Sequence, residues 1–439
     1  MQAMTGPRVA VVGSGISGLA AAHALKDAAR VTLFEAGAHF GGHTNTVDVT
    51  LGGVTHGVDT GFLVFNERTY PNLIRLFDEL GVTSASTDMS FSVQVPGFGL
   101  EWNGSNLDTV FAQRSNLLRP RFWRMLTDLL RFNKLATAIA QRGAAPELMS
   151  SIGDFLAEHG FSDEFRDWYF LPMIGSIWSC PTDQMLRFPV ATMIRFCHNH
   201  GLLQVADRPP WRTVPGGARQ YVRKMLAGIG DVRLRTPVQC VRRLPAGGAI
   251  VRNAGQDETF DEVVLACHSD QSLALLADAD AAERSVLAAI RYHANRAVLH
   301  TDASLLPRRR KAWAAWNYER AADQGREQAA LCVHYLINSL QPLPWNEPVI
   351  VSLNPLREPA PAAVLDEFDY AHPVFDHAAI EAQRQLPSLQ GQRHTWFCGA
   401  WTRYGFHEDG LMSGLAAARS LRERWAAAPV ACAVEAVVA

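Results

Sequence analysis

Residues 9 to 35, VAVVGSGISGLAAAHALKDAARVTLFE, constrain the fold more than any other stretch of the chain. An apolar run, Val9 to Val12, leads into Gly13, Gly15 and Gly18; a small-residue helix follows, and a second apolar run, Val31 to Phe34, delivers the carboxylate of Glu35. This is the pattern of a βαβ dinucleotide-binding unit. Gly13 permits the tight strand-to-helix turn, Gly15 lets backbone approach a pyrophosphate, and Gly18 lets the helix lie close on the sheet. The helix start, with Ile16 and Ser17, offers partly positive N–H groups to that negative charge. Glu35 lies at about the 20-residue spacing that suits ribose hydroxyls, and an acid there argues against a 2′-phosphate. Glycine-rich turns before helices are common and many bind nothing, but here strand, helix, alanine spacing and acid agree.

Length and composition bound what surrounds that unit. At 439 residues the chain exceeds the roughly 250–300 residues at which single cores stop growing, so two domains are expected. A hydrophobic content of 48% with 19% charged residues is a globular balance, and a formal net charge of −2 gives no global pull toward nucleic acid. No apolar run approaches the roughly 18 residues that span a bilayer. The first strand starts within ten residues of Met1, which leaves no room for a signal peptide, so a cytoplasmic protein is expected. Seven cysteines without a C-x-x-C pair suit reduced thiols. Cys197, His198 and His200 form a ligand-rich triplet, but no second half-site has zinc spacing and no metal is expected.

Downstream of Glu35 come Ala36, then Gly41-Gly42-His43-Thr44, and later Asp59-Thr60-Gly61-Phe62. Val214-Pro215-Gly216-Gly217-Ala218, Thr236-Pro237-Val238, Trp396-Phe397-Cys398-Gly399-Ala400 and Gly410-Leu411-Met412-Ser413-Gly414 follow at wide intervals. In these segments the chain resembles the superfamily of flavin-dependent amine oxidases, phytoene desaturases and protoporphyrinogen oxidases. There an E-A-x-x-x-x-G-G segment follows the Rossmann acid and a D-x-G segment comes near the flavin ring. Paired glycines let backbone pass close to a ligand without a Cβ clash. The resemblance implies an FAD cofactor held by the first glycine turn and Glu35, and by Ala36, Gly41, Gly42, His43, Thr44, Thr60, Gly61 and Phe62. It further implies backbone contact from Val238 to the adenine, and a C-terminal helix whose start, with Gly399, Gly410, Leu411 and Ser413, faces the flavin and ribityl phosphate. His43 departs from the family, which commonly has Arg there.

Because these blocks lie at the beginning, middle and end, the fold class implied is α/β: a discontinuous Rossmann-like FAD-binding domain with an α+β substrate domain of amine-oxidase or desaturase type. We assign residues 1–70, 208–290 and 392–425 to the first, 71–207 and 291–391 to the second, and 426–439 to a loose tail. The first insert reads as helical, with three- and four-residue apolar spacing over 70–80, 119–142 and 151–159. The second reads as mixed, with strand-like runs at 296–300, 330–337 and 349–353.

The substrate is approached through an absence. Only four of the 41 basic residues are lysines: Lys26, Lys134, Lys224 and Lys311. Many amine oxidases of the superfamily hold a water at the flavin with a strand lysine, and here the matching strand carries Asn295 or Arg296. His407, Tyr404 and His43 are the candidate catalytic groups, since a histidine titrates near neutrality and Tyr404 offers an aromatic face. The bland alternative is that Glu408 and Asp409 cap a helix and His407 merely hydrogen-bonds nearby.

Helix 119–134 is basic, aromatic and leucine-rich, which suits either an anionic membrane surface or an ordinary helix with its apolar stripe in the core. The strings GGHTNTV, DTGFLVFN and YGFHEDGL look like a bacterial subgroup associated with cyclopropane-fatty-acid-synthase-like methyltransferases, and so imply a lipid substrate and a methyltransferase partner. The leading expectation is an FAD-dependent desaturase or dehydrogenase of a fatty acyl chain by hydride transfer to the flavin, peripheral at the inner face of the membrane. The alternatives are an FAD-dependent amine oxidase releasing hydrogen peroxide, and a non-redox flavin-dependent lipid isomerase or binding protein. With no second nucleotide motif evident, oxygen or a quinone is the expected electron acceptor. No nucleic acid partner is expected.

Overall fold

The computed structural model describes residues 6–142, 150–204, 208–321 and 331–427. The chain forms two compact units, one of Met1–Gly42, Lys224–Leu287 and Gln385–Ala439, the other of His43–Arg223 and Ala288–Arg384. Residues 43–70 and 208–223, grouped with the nucleotide half on sequence grounds, thus belong to the second unit. They do so because the hairpin Thr46–Leu51/Val54–Asp59 and the strand Trp211–Thr213 pair within it.

The first unit is built on a five-stranded parallel sheet in the order Asp231–Arg233, Arg30–Phe34, Arg8–Val12, Glu262–Leu265, Thr395–Phe397. Its central strands read as unbroken apolar runs, as strands covered on both faces must, and Val9, Ala10, Val11, Val263 and Val264 are fully buried. The first helix, Ile16–Leu25, buries Leu19, Ala20, Ala21 and Ala22. Beside it runs the C-terminal helix His407–Ala427. A Cβ on Gly410 would meet Ile16 Cγ2 at 2.7 Å, and one on Gly414 would meet Ser17 O at 2.1 Å. The two helices therefore run in the same direction from adjacent N-termini, in backbone contact that only glycine allows. A three-stranded antiparallel sheet of Val238–Arg243, Ala249–Asn253 and Gln256–Phe260 completes the unit.

The second unit carries a seven-stranded sheet in the order Val364–Val374, Arg291–His300, Ile350–Leu353, Cys332–Leu336, Trp316–Glu319, Phe91–Val95, Leu100–Asn103. The last two strands correct the reading of the first insert as helical. They are too short for alternation to show, yet Phe91–Val95 pairs in parallel with Trp316–Glu319. The expected helices form at Pro71–Leu80, Pro120–Arg142 and Ile152–Glu158. The first stops at Gly81, whose left-handed φ of 60° lets Val82 N reach Phe77 O at 2.8 Å. Ile152–Glu158 starts on Ser151, which accepts from Asp154 N at 3.1 Å.

Helix Pro120–Arg142 buries Phe122, Met125, Phe132, Ala136 and Ile139 along one face. Phe132 meets the rings of Phe161, Phe165 and Phe170 at 5.8, 5.4 and 4.8 Å. Its truncation to Ala would cost about 3–5 kcal/mol. The first two residues of the expected tail, 426 and 427, are helical, since the C-terminal helix runs to Ala427; residues 428–439 lie outside the described residues, as does residue 330 of an expected strand.

Candidate functional site

The nucleotide cradle forms within the first unit. Gly13 has φ +101°, and a Cβ there would lie 2.9 Å from Ala266 O, so the turn tolerates glycine alone. Gly18 is tighter still, its Cβ falling 1.9 Å from Gly13 O. Gly15 differs: a Cβ would meet nothing within 4 Å. It is the N-cap of the first helix and no side chain caps that end, so open space stands over the first-turn N–H groups of Ile16, Ser17 and Gly18. That arrangement accepts an anion, and a side chain at Gly15 would intrude on it.

Gly41 and Gly42 close one flank of this space. Gly41 bridges Gly15 in parallel and donates to Ser14 O at 3.1 Å; a Cβ on Gly42 would press Gly15 Cα at 3.1 Å. Glu35 Oε2 accepts from Ser14 N at 3.0 Å and Ser14 Oγ at 2.5 Å, and Oε1 from Gly37 N at 2.7 Å. An ionised carboxylate has about four acceptor directions, so Glu35 retains one for a ribose hydroxyl while rigidly holding the turn. Ala36 is exposed beside it, and Val238 is the half-buried first residue of its strand. These residues fit the adenosine diphosphate half of FAD.

The C-terminal helix begins three residues earlier than Gly410, at His407. Its first turn therefore contains Glu408 and Asp409. Asp409 Oδ2 accepts from Phe406 N at 3.0 Å, and burial pushes its pKa up to about 6. The capping role weighed for these acids is thus met by Asp409. His407 is the half-buried first helical residue, and Tyr404 lies half-buried in the turn before it. Ser413 Oγ accepts from Gly399 N at 2.9 Å and bonds Gly410 O at 2.9 Å, pinning the end of strand Thr395–Phe397 to the helix. The Leu411 side chain is wholly in the core, which leaves only its backbone for a ligand.

The second unit assembles a different kind of site, from side chains. His43 stacks on Tyr370 with centroids 4.9 Å apart and planes at 28°, and meets His372 edge-on at 5.2 Å. Tyr370 OH bonds Thr60 Oγ1 at 2.7 Å and accepts from Asn45 Nδ2 at 3.1 Å. Thr44 Oγ1 bonds Tyr221 OH at 2.7 Å. Gly61 passes so close that a Cβ would strike His43 O at 2.3 Å, and Phe62 N donates to that oxygen at 2.8 Å. Beneath lies Asp59, fully buried, accepting from Thr46 Oγ1, Ala218 N and Gln341 Nε2. Burial raises its pKa to about 7, although those donors oppose the rise.

Phe368, Tyr370 and His372 alternate along one strand and so share one face, opposite Ala297, Asn295 and His293 of the next. Asn295 is buried; its Nδ2 donates to His372 Nδ1 at 2.9 Å and its Oδ1 accepts from Asn354 Nδ2 at 2.7 Å. With Nδ1 accepting, the neutral His372 ring carries its proton on Nε2. Burial lowers the pKa of His293, which favours the neutral imidazole. Arg296 points the other way, to Glu358 and Glu367 at 2.9 and 2.8 Å. Of the two residues proposed for the strand lysine's place, Asn295 is thus the one on the face of His372, and Arg296 is the one turned to the outer acids. Tyr370, His372 and His293 were not singled out from sequence; Tyr370 and His372 lie more than 300 residues from His43, and the i, i+2 spacing of two rings was the only signal.

The triplet Cys197–His198–His200 does not converge. Cys197 Sγ turns to Met193 Sδ and His200 Nδ1 bonds Phe196 O at 3.0 Å. Glu319, Cys332 and His334 do approach within 4.8 Å of one another, but His334 already bonds Glu319 at 3.1 Å and Ser352 at 2.6 Å. They read as a buried polar network. All six cysteines among the described residues are free thiols.

A family model described as flavin containing amine oxidoreductase matches residues 16–302. Carotenoid phi-ring synthase of Streptomyces griseus is 29% identical over 284 residues, 60% of this chain and 52% of the relative; the chain thus aligns with about half of that protein's length. Among solved structures, cyclohexylamine oxidase from Brevibacterium oxydans superposes with a TM-score of 0.67 at 17% identity, covering 96% of this chain and 100% of that one. A CLA-producing fatty acid isomerase from P. acnes gives 0.65 at 15% identity, with 95% and 98% covered. At those identities the structural likeness establishes the α/β flavoprotein fold.

Proposed function

The chain belongs to the flavin containing amine oxidoreductase family, and from that premise we propose that this FAD-dependent oxidoreductase desaturates or dehydrogenates a fatty acyl lipid. The observation that carries the reading is Asn295: on the strand we match to the lysine-bearing one of many amine oxidases, it is a buried amide fixed between Asn354 and His372. The amide can orient a polar group but has no titratable nitrogen. The relatedness to a carotenoid-ring synthase and the likeness to a fatty acid isomerase point in the same direction.

Bound FAD supplies a two-electron sink for a C–H bond. The protein's own task is then the remaining proton. His43 and His293 supply imidazoles for it, His293 held neutral by burial, while His372, with Nδ1 engaged, is a hydrogen-bond donor at Nε2. Tyr370 and Phe368, stacked at 6.2 Å, give a flat apolar wall along which a chain can lie.

That same wall favours the second reading, a neutral amine held between aromatic faces. Anaerobic mixing separates the two. Unsaturated or methylated acyl substrates should bleach the flavin absorbance, whereas amines should leave it yellow and release no peroxide in air. Bleaching by amines with none by any acyl chain would overturn the lipid reading. Product formed with no flavin reduction and no acceptor consumed would instead indicate isomerisation.

A further inference from the structure

The exposed apolar side chains of this protein are concentrated around the start of helix Pro120–Arg142. Six of the ten large ones exposed among the described residues lie between Phe98 and Leu130. The helix buries one apolar stripe but exposes Trp123 and Leu130; the turns before it protrude most, with Leu118 86% and Leu107 79% exposed. Phe98, Leu117 and Trp123 are about half exposed beside them. Hydrogen bonds lash these turns together. Trp123 Nε1 donates to Leu117 O at 2.9 Å, Arg119 reaches Gly99 O at 3.3 Å, and Asp108, next to Leu107, binds both Arg114 and Lys311 at 2.5 and 2.6 Å.

The same region is strongly cationic. Residues 96–142 and 303–313 hold eleven Lys and Arg against Glu101, Asp108 and Asp128, an excess of eight positive charges in a chain whose formal net charge is −2. The second segment joins the first through Arg309 and Glu101 at 2.9 Å, and Arg308, Arg309, Arg310 and Lys311 are all exposed. Glu164, outside both segments, pairs with Arg121 at 2.5 Å and takes one more charge from that excess, which leaves the face strongly positive.

We propose that this face docks on an anionic lipid bilayer, with Leu107, Leu118 and Trp123 entering the interface and the surrounding arginines meeting the phosphates. Large apolar side chains clustered rather than scattered mark an interaction surface. The charge selects the partner: a second copy of this chain would bring like charge against like, and nucleic acid has no apolar layer to receive the leucines. A bilayer with acidic headgroups takes both. Among the described residues no helix is long and apolar enough to cross a membrane, so docking is peripheral. The inference is independent of the acyl substrate proposed above, since it concerns a surface and not the reaction.

Co-sedimentation of the flavin-loaded protein with extruded vesicles tests it. The protein should pellet with phosphatidylcholine vesicles containing phosphatidylglycerol and remain in solution with pure phosphatidylcholine. Raising salt from about 0.1 M to about 1 M, which shortens the screening length from ~10 to ~3 Å, should release it. Leu107→Asp/Leu118→Asp and Arg308→Glu/Arg310→Glu should each lower partitioning roughly tenfold, with circular dichroism and flavin absorbance unchanged. Wild type that stays in the supernatant with acidic vesicles, or a leucine double variant that pellets as wild type does, overturns the proposal. Equal pelleting on neutral vesicles overturns its electrostatic half.

Discussion

The nucleotide turn and the histidine-bearing sheet face are built by opposite means. Around Gly13, Gly15, Gly18, Gly410 and Gly414 the structure depends on side chains being absent: a Cβ would lie 1.9 to 2.9 Å from a neighbouring atom at four of the five positions, a backbone atom at all of these but Gly410. Around His43, Tyr370, His372 and Asn295 it depends on which side chains are present and on the hydrogen bonds that orient them. A site made of backbone has to be encoded locally, because a turn is a few consecutive residues. One made of side chains can be gathered from anywhere the sheet register brings strands together.

The largest effect separates glycines within one motif. Gly18→Ala should destabilise by about 3 kcal/mol or more, since the new methyl has only backbone to displace, and thermal melting should show it even without flavin. Gly15→Ala, with φ −59° and open space at the methyl, should melt within about 1 kcal/mol of wild type while losing roughly tenfold or more in FAD affinity by fluorescence titration. Equal melting of the two variants would break the distinction between a packing glycine and a ligand glycine.

On the sheet face, Asn295→Leu leaves Asn354 Nδ2 and His372 Nδ1 without a partner they now have, a cost of about 1–3 kcal/mol. It should lower kcat by roughly 100-fold with KM less affected; an undiminished kcat would remove this face from the reaction. Arg296→Ala, one residue away but pointing outward into exposed ion pairs, should cost at most about 1 kcal/mol and leave kcat unchanged.

Asp59 gives a smaller, pH-dependent signal. Its folded-state pKa of about 7 lies above the ordinary value of 3.8, so the folded state holds the proton more tightly than the unfolded one. The stability it contributes is full below about pH 4 and is lost as pH rises through 7. Asp59→Asn should flatten that part of the stability profile in denaturant titrations at several pH values; an identical slope in both proteins would mean the carboxyl titrates normally.

The sequence reading reached the backbone-built region closely. The βαβ unit, the glycine doublet and the small-residue helix all form, because each requirement falls on neighbouring residues. It stopped short at strand Phe91–Val95, which pairs with residues more than 200 positions away, and at Leu100–Asn103, the edge strand that joins the sheet through it, and at the helix start, where His407-Glu408-Asp409 is the first turn itself rather than the segment before it. It likewise saw His43 but not Tyr370 or His372, since nothing local joins residue 43 to a strand at 364–374.

The five-stranded sheet also dictates a timetable during synthesis. Its third strand, Arg8–Val12, and its last edge, Thr395–Phe397, lie more than 380 residues apart in the chain. At about 5–20 residues per second the early half-sheet waits roughly 20–80 s for its outer partner. Until then the nucleotide cradle also lacks the helix His407–Ala427, which packs on Ile16 and Ser17 through Gly410 and Gly414.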